Sequence, residues 1–125
     1  MYTAMGVVAR RVLIVDDNVE LAENIAEILQ LDGHLTQIAS SAEAGAMVAQ
    51  ETAPDVLVTD YRLPGRNGAE LVRQLRASRL TVHAIVMSAY TDDGIVRQAE
   101  DAGATFMAKP LDFMLLSRRV REGIA

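Results

Sequence analysis

Val12-Leu13-Ile14-Val15-Asp16-Asp17 decides how the chain is read. Four consecutive β-prone apolar residues describe a strand buried on both faces, as in a parallel sheet covered by helices. The run then stops on two adjacent acids. Val56-Leu57-Val58-Thr59 repeats the pattern and stops on Asp60. Val82-His83-Ala84-Ile85-Val86-Met87 repeats it again and stops on Ser88. Leu35 to Ala39 is a weaker strand, and Thr105-Phe106-Met107-Ala108 is a short fifth that runs into Lys109-Pro110.

Helical patterns fill the intervals. Leu21, Ile25, Ile28 and Leu29 line one face of a helix over about 18–31, with Gly33 as its stop. Ser41 caps an alanine-rich second helix that ends before Pro54, with Glu43 near its start. Leu71, Val72 and Leu75 mark a third helix after Asn67-Gly68. Ile95, Val96, Ala99 and Ala102 mark a fourth, stopped by Gly103. Pro110 fits the first turn of a fifth, which carries Phe113, Leu116 and Val120. Strands alternating with helices imply right-handed crossovers and a parallel α/β sheet. In such sheets the working crevice lies outside the carboxyl ends of the strands.

The composition fits one domain. The chain has 125 residues, half of them hydrophobic, enough for a core without staples. It has no cysteine, which excludes disulfides and cysteine-based zinc or redox chemistry and is compatible with a reducing compartment. A net charge of −5 makes it a poor default binder of nucleic acid. No stretch has the length of a membrane span, and Met1 to Val8 lacks the basic start and apolar core of a signal peptide. Residues 1–9 read as a tail and 10–125 as the domain.

Four of the five strands deliver a polar or charged group to one edge: Asp16-Asp17, Asp60, Ser88 and Lys109. Taken singly, each has an ordinary explanation, as a helix cap, a turn or a solvated side chain. Together on one edge they point to chemistry. Three converging carboxylates repel one another unless a cation joins them. An all-oxygen set suits a hard divalent ion such as Mg²⁺, and neither His34 nor His83 clusters with another ligand to suggest zinc. Lys109 is the single lysine among 12 basic residues, and a compact ammonium is a point-charge ligand for phosphate. Such a site suits phosphoryl transfer, with a carboxylate as the nucleophile.

The runs Val12-Leu13-Ile14-Val15-Asp16-Asp17, Asp60-Tyr61-Arg62-Leu63-Pro64-Gly65-Arg66-Asn67-Gly68, Ser88-Ala89 and Lys109-Pro110 agree in order and spacing with a known family. From about Arg11 to Gly123 the chain resembles the receiver domain of two-component response regulators. The resemblance implies a flavodoxin-like, doubly wound (βα)5 fold with strand order 2-1-3-4-5. It implies that Asp60 is the phospho-acceptor, taking the phosphoryl group from a phosphohistidine. Asp17, Asp60 and the Arg62 backbone carbonyl would then hold Mg²⁺, or Mn²⁺ in its place, with Asp16 acting mainly through water. Lys109 would pair with the acceptor and then with the phosphoryl group, and Ser88 would hydrogen-bond that group on activation. Phe106 occupies the aromatic switch position, without the hydroxyl of a tyrosine. The Lys109-Pro110 bond is expected to be cis, and Gly68 to meet a backbone need of its loop. Only Thr105 separates Gly103-Ala104 from Phe106, one residue fewer than is usual in the family. Arg62 and Tyr90, each two residues past a site residue, flank the route to the phosphoryl group and would tune its hydrolysis.

The resemblance implies a cytoplasmic signalling domain and not an enzyme with an external substrate; it catalyses only its own phosphoryl transfer and autodephosphorylation. Its partners would be a histidine kinase or histidine phosphotransfer protein and a downstream output domain or protein target. It would be a monomer or a phosphorylation-dependent dimer, with no direct contact to nucleic acid or membrane. Two alternatives use similar parts. A haloacid-dehalogenase-type phosphohydrolase needs a second Asp two residues past its nucleophile, where this chain has Arg62. A pseudo-receiver interaction module would keep the fold without the phosphorylation, yet every acidic-pocket residue is present.

Overall fold

The computed structural model describes residues 8–122. The tail expected over 1–9 lies outside them except for Val8 and Ala9. The elements run β1 (Arg11–Val15), α1 (Val19–Leu31), β2 (Leu35–Ala39), α2 (Ala42–Thr52), β3 (Val56–Asp60), α3 (Gly68–Ala77), β4 (His83–Ser88), α4 (Asp93–Asp101), β5 (Thr105–Ala108) and α5 (Phe113–Glu122). All four strand pairings are parallel and the order is β2-β1-β3-β4-β5. This is the flavodoxin-like doubly wound sheet, with the order reversing at β1.

Alternation along each strand sends side chains to opposite faces. Val12, Ile14, Val56, Val58, Ile85 and Met87 pack with Ile25 and Leu29 of α1 and with Leu116 and Val120 of α5. Leu13, Val15, Leu57, Ala84 and Val86 pack with the alanines of α2, with Leu71, Val72 and Leu75 of α3, and with Ala99 of α4. Both sides of the central strands are therefore dry, which is why their sequences read as unbroken apolar runs. β2 lies at the edge, where Leu35, Gln37 and Ile38 are exposed, and its pattern is correspondingly weak.

A short polar side chain opens each helix. Asn18, Ser41, Asn67, Asp92 and Asp112 accept the backbone N–H three residues on, at 2.9–3.1 Å. Each satisfies a donor that the helix itself cannot. Asn67 and Glu70 add the reciprocal bond of a capping box at 2.9 Å. The Asp112 cap corrects one expectation. α5 begins at Phe113, so Pro110 lies outside the helix, in the turn that leaves β5. The start is set where a carboxylate can accept the Leu115 N–H. The Lys109-Pro110 bond is cis.

The opposite pole of the sheet holds a second polar group. The buried His34 accepts the Arg10 N–H at Nδ1, 3.0 Å away. Arg10 Nη2 in turn donates to the carbonyls of Arg121 and Glu122 at the end of α5, at 3.1 and 3.3 Å. Burial lowers the pKa of His34, with Arg10 and Arg121 adding to the effect and Asp32 opposing it. Burial also lowers that of His83, with Arg119, Arg76 and Arg10 adding and Glu122 opposing. Both are held neutral below the pH at which the unfolded chain takes up protons. Stability is therefore expected to fall as pH drops below 6.5, with a slope approaching about 1.4 kcal/mol per pH unit for each histidine that stays neutral. Denaturant unfolding between pH 7 and pH 5 should show this slope, and a His34→Gln/His83→Gln chain should flatten it.

Candidate functional site

β1, β3, β4 and β5 end side by side, and their last residues converge. Backbone bonds lock the ends in step: Tyr61 N–H to Met87 O at 2.7 Å, and Lys109 N–H to Ser88 O at 2.9 Å. Asp16, fully buried, follows β1; Asp60, 8% exposed, closes β3; the buried Ser88 closes β4. Each of Asp16, Asp17 and Asp60 has a carboxylate oxygen within 4.8 Å of those of the other two. Among the described residues, this trio is the group of acids or histidines suited to hold a metal ion. Its all-oxygen donor set fits a small hard cation and offers nothing to a soft one.

Lys109 reaches into the trio from the end of β5. Its Nζ stands 3.3 Å from Asp60 Oδ1 and 3.5 Å from Asp16 Oδ2. Asp16 Oδ1 also accepts the Asn18 N–H at 2.9 Å, so both its oxygens are engaged. Asp17, by contrast, is exposed. Burial raises the pKa of Asp60 above the ordinary carboxylate value, and the Asp16 charge raises it further. Lys109 and a backbone hydrogen bond from Arg62 pull it down but do not cancel the rise. One ammonium does not neutralise three carboxylates, and burial beside Asp16 keeps the Asp60 carboxyl above its ordinary range.

Neighbouring side chains frame the opening. Ser88 Oγ accepts the Tyr90 N–H at 3.0 Å, which leaves the hydroxyl hydrogen to donate elsewhere. The Arg62 guanidinium lies over the Tyr90 ring, 4.3 Å from its centroid, a cation–π contact joining the β3–α3 and β4–α4 loops. Phe106 is half-buried against the cluster of α2, α3 and α4. Gly68 is required by close approach: a Cβ there would collide with the Asp60 carbonyl oxygen. The backbone need foreseen at Gly68 is thus space beside Asp60.

The sequence profile of the response regulator receiver domain matches residues 12–121. The chain belongs to the response regulator receiver domain family. It is 30% identical over 104 residues to sporulation initiation phosphotransferase F of Bacillus subtilis (strain 168), covering 82% of this chain and 83% of that one. It is 42% identical over 94 residues to the response regulator receiver protein Anae109_2439 of Anaeromyxobacter sp. (strain Fw109-5), covering 75% of this chain and 40% of that one. A CheY-like receiver domain protein of Methanospirillum hungatei JF-1 superposes with a TM-score of 0.86 at 25% identity, over 92% of this chain and 93% of that one. The chain spans about half the length or less of some of its curated relatives, 40% of the Anaeromyxobacter protein and 49% of the transcriptional regulatory protein FixJ of Rhizobium meliloti (strain 1021). It is a receiver domain of a two-component response regulator and a signalling domain. Among the described residues, no helix is long and apolar enough to cross a membrane.

Asp16, Asp17, Asp60, Arg62, Ser88, Tyr90 and Lys109 lie at the strand-end edge or in the loops beside it, whereas Phe106 lies inside β5 and packs against the side covered by α2, α3 and α4. Glu70 and Tyr61 have roles at that edge beyond those the sequence motifs assign. Asn67-Gly68-Ala69-Glu70 carries the capping-box spacing and was legible. The hydroxyl of Tyr61, which reaches α4, had no signal in the sequence.

The raised pKa of Asp60 has a consequence for stability. The folded chain holds this proton to a higher pH than the unfolded chain, so ionisation costs stability. The penalty is absent well below 3.8, the ordinary value, grows as pH rises above it and is complete only above the raised folded value. In chelator, Asp60→Asn is expected to stabilise the domain at pH 7 by on the order of 1 kcal/mol. Chemical denaturation checks this, and millimolar Mg²⁺ should close the gap by stabilising the wild type alone.

Proposed function

We propose that this receiver domain takes a phosphoryl group onto Asp60 from the phosphohistidine of a kinase or phosphotransfer protein. The observation that carries the reading is the trio of carboxylates with Lys109 Nζ 3.3 Å from Asp60 Oδ1, at the carboxyl edge of a receiver sheet. An Asp60 carboxylate oxygen attacks phosphorus, the P–N bond breaks, and the imidazole leaves with the electron pair. The attack needs Asp60 ionised, and Lys109 with the Arg62 N–H favours that form. As the carboxylate becomes an acyl phosphate, Lys109 stays beside it to meet the phosphoryl oxygens, and Ser88 offers its free hydroxyl hydrogen.

Asp17, Asp60 and the Arg62 carbonyl are the ligands we assign to Mg²⁺, with Mn²⁺ able to replace it. Asp16 is committed to Asn18 and Lys109 and is left to act through water. Bound there, the ion would neutralise charge on the transferring phosphoryl group. Three carboxylates, one ammonium and one divalent ion balance, and phosphorylation upsets that balance. We read this imbalance as the signal, shifting an existing equilibrium of the surface formed by α4, β5 and α5. Downstream, an output domain or a separate protein would read that surface. With a phosphohistidine donor as partner, our reading puts the domain in the cytoplasm, as a monomer or a phosphorylation-dependent dimer.

Incubation with a small phosphodonor and Mg²⁺ should add one phosphoryl group, seen by intact mass. Asp60→Asn, or chelation of the metal, should abolish it. Label that persists on another residue of Asp60→Asn would sink the assignment.

We also assign Arg62 and Tyr90 to shielding the acyl phosphate from water during autodephosphorylation. Their cation–π contact joins the two loops beside Asp60 and Ser88. Arg62→Ala and Tyr90→Ala are each expected to shift the lifetime of the phosphorylated form severalfold, on the scale of about 1 kcal/mol for such a contact. Decay of the labelled protein, followed by mass, checks it; unchanged rates in both reject it.

A further inference from the structure

Phe106 has no hydroxyl, so the ring on β5 gains no hydrogen bond from any movement it makes. A tyrosine hydroxyl does reach α4, but from another element. Tyr61, directly after Asp60, donates its phenolic O–H to Gln98 Oε1 in the middle of α4 at 2.8 Å. Asn67 Nδ2 donates to the same phenolic oxygen at 3.4 Å. The Tyr61 backbone is clamped on both sides: its N–H donates to Met87 O, and its carbonyl accepts the Gly68 N–H at 2.8 Å. Gly68 itself is wedged against the Asp60 carbonyl. The ring therefore moves with the segment that carries Asp60 and Arg62.

α4 is lightly held. Of its nine residues, only Ile95 and Ala99 are buried, and residues 89–92 leading into it are all exposed, as are its first two residues. Its other end is pinned. Arg76 of α3 donates Nε to Ala102 O at 3.1 Å and Nη2 to Gly103 O at 2.9 Å and Val82 O at 3.2 Å. One guanidinium thus ties the short α4–β5 loop to the entry of β4. α4 has a fixed carboxyl end and a loosely held amino end, with the Tyr61–Gln98 bond between them. With so few buried side chains, one hydrogen bond is a large share of what holds the helix.

We propose that the Tyr61–Gln98 bond is a latch on α4, with Arg76 at its hinge, through which a change at Asp60 reaches the helix. The proposal rests on the phospho-acceptor reading above. A ligand on Asp60 that draws in the Arg62 backbone carries Tyr61 with it. The hydroxyl then leaves Gln98, and the amino half of α4 is released while its carboxyl end stays on Arg76. Tyr61 acts here as a positioning residue for α4 and touches no reacting atom.

Hydrogen exchange on the full chain tests this, with wild type, Tyr61→Phe, Gln98→Leu and the double variant. Each is measured in chelator and again with Mg²⁺ and beryllofluoride as the phosphoryl mimic. In chelator, each single variant is expected to speed exchange at residues 95–99 about fivefold, the scale of one neutral hydrogen bond, and the double variant no further. The mimic should raise the wild type to the same level and move Tyr61→Phe little, while residues 102–104 at the hinge stay unchanged in all four. Additive single effects, or a full response to the mimic in Tyr61→Phe, would overturn the latch. Phosphodonor labelling of the wild type separates the two readings. If Asp60 takes no label, the phospho-acceptor reading fails, and the latch is then decided by additivity in chelator alone.

Discussion

The ion pair of Lys109 with Asp60 and Asp16 is the constraint around which the receiver domain is arranged. Three carboxylates brought within one small volume would drive their strands apart without it. The ammonium bridges two of them, yet burial, with the Asp16 charge added, still holds the pKa of Asp60 raised. A group kept in that condition is responsive, because a divalent ion or a phosphoryl group changes its energy strongly. The two largely apolar faces of the sheet support the arrangement, with Thr59 and His83 as the buried polar side chains among the strands apart from the site itself.

In the proposed switch, two loops would convert that local charge into geometry. The β3–α3 loop is fixed to β4 through Tyr61 and to α3 through Gly68, so it responds as a unit. The β4–α4 loop is exposed and joined to it through Arg62 over Tyr90. α4, which follows the exposed loop directly, has only two buried side chains with which to resist what these loops do. α1 is different: Ala22, Ile25, Ala26 and Leu29 are all buried, and it stays with the sheet.

Much of the fold was legible because burial on both faces leaves no alternative pattern. Val12 to Val15, Val56 to Thr59 and Val82 to Met87 could only be central strands of a covered sheet. The site followed, since Asp16, Asp60, Ser88 and Lys109 are strand-end residues and parallel strands end on one edge. Pro110 misled because its fixed φ suits a first helical turn, whereas the Asp112 carboxylate decides where α5 begins. β2 was faint because an edge strand need not be apolar on both sides.

The sequence by itself determined the order of elements, the edge at which charge collects, and the family to which the chain belongs. Those are properties of pattern along the chain, carried by periodicity and by the residues at strand ends. Only the tertiary structure decided that Lys109 bridges Asp60 and Asp16, that Arg62 lies over Tyr90, and that Tyr61 reaches Gln98. Each of these joins residues distant in sequence or on different elements. Their distances depend on strand register and loop path, and no local pattern encodes those. The same holds for Gly68, where the turn was visible but the neighbour that forbids a side chain, the carbonyl of Asp60, was not.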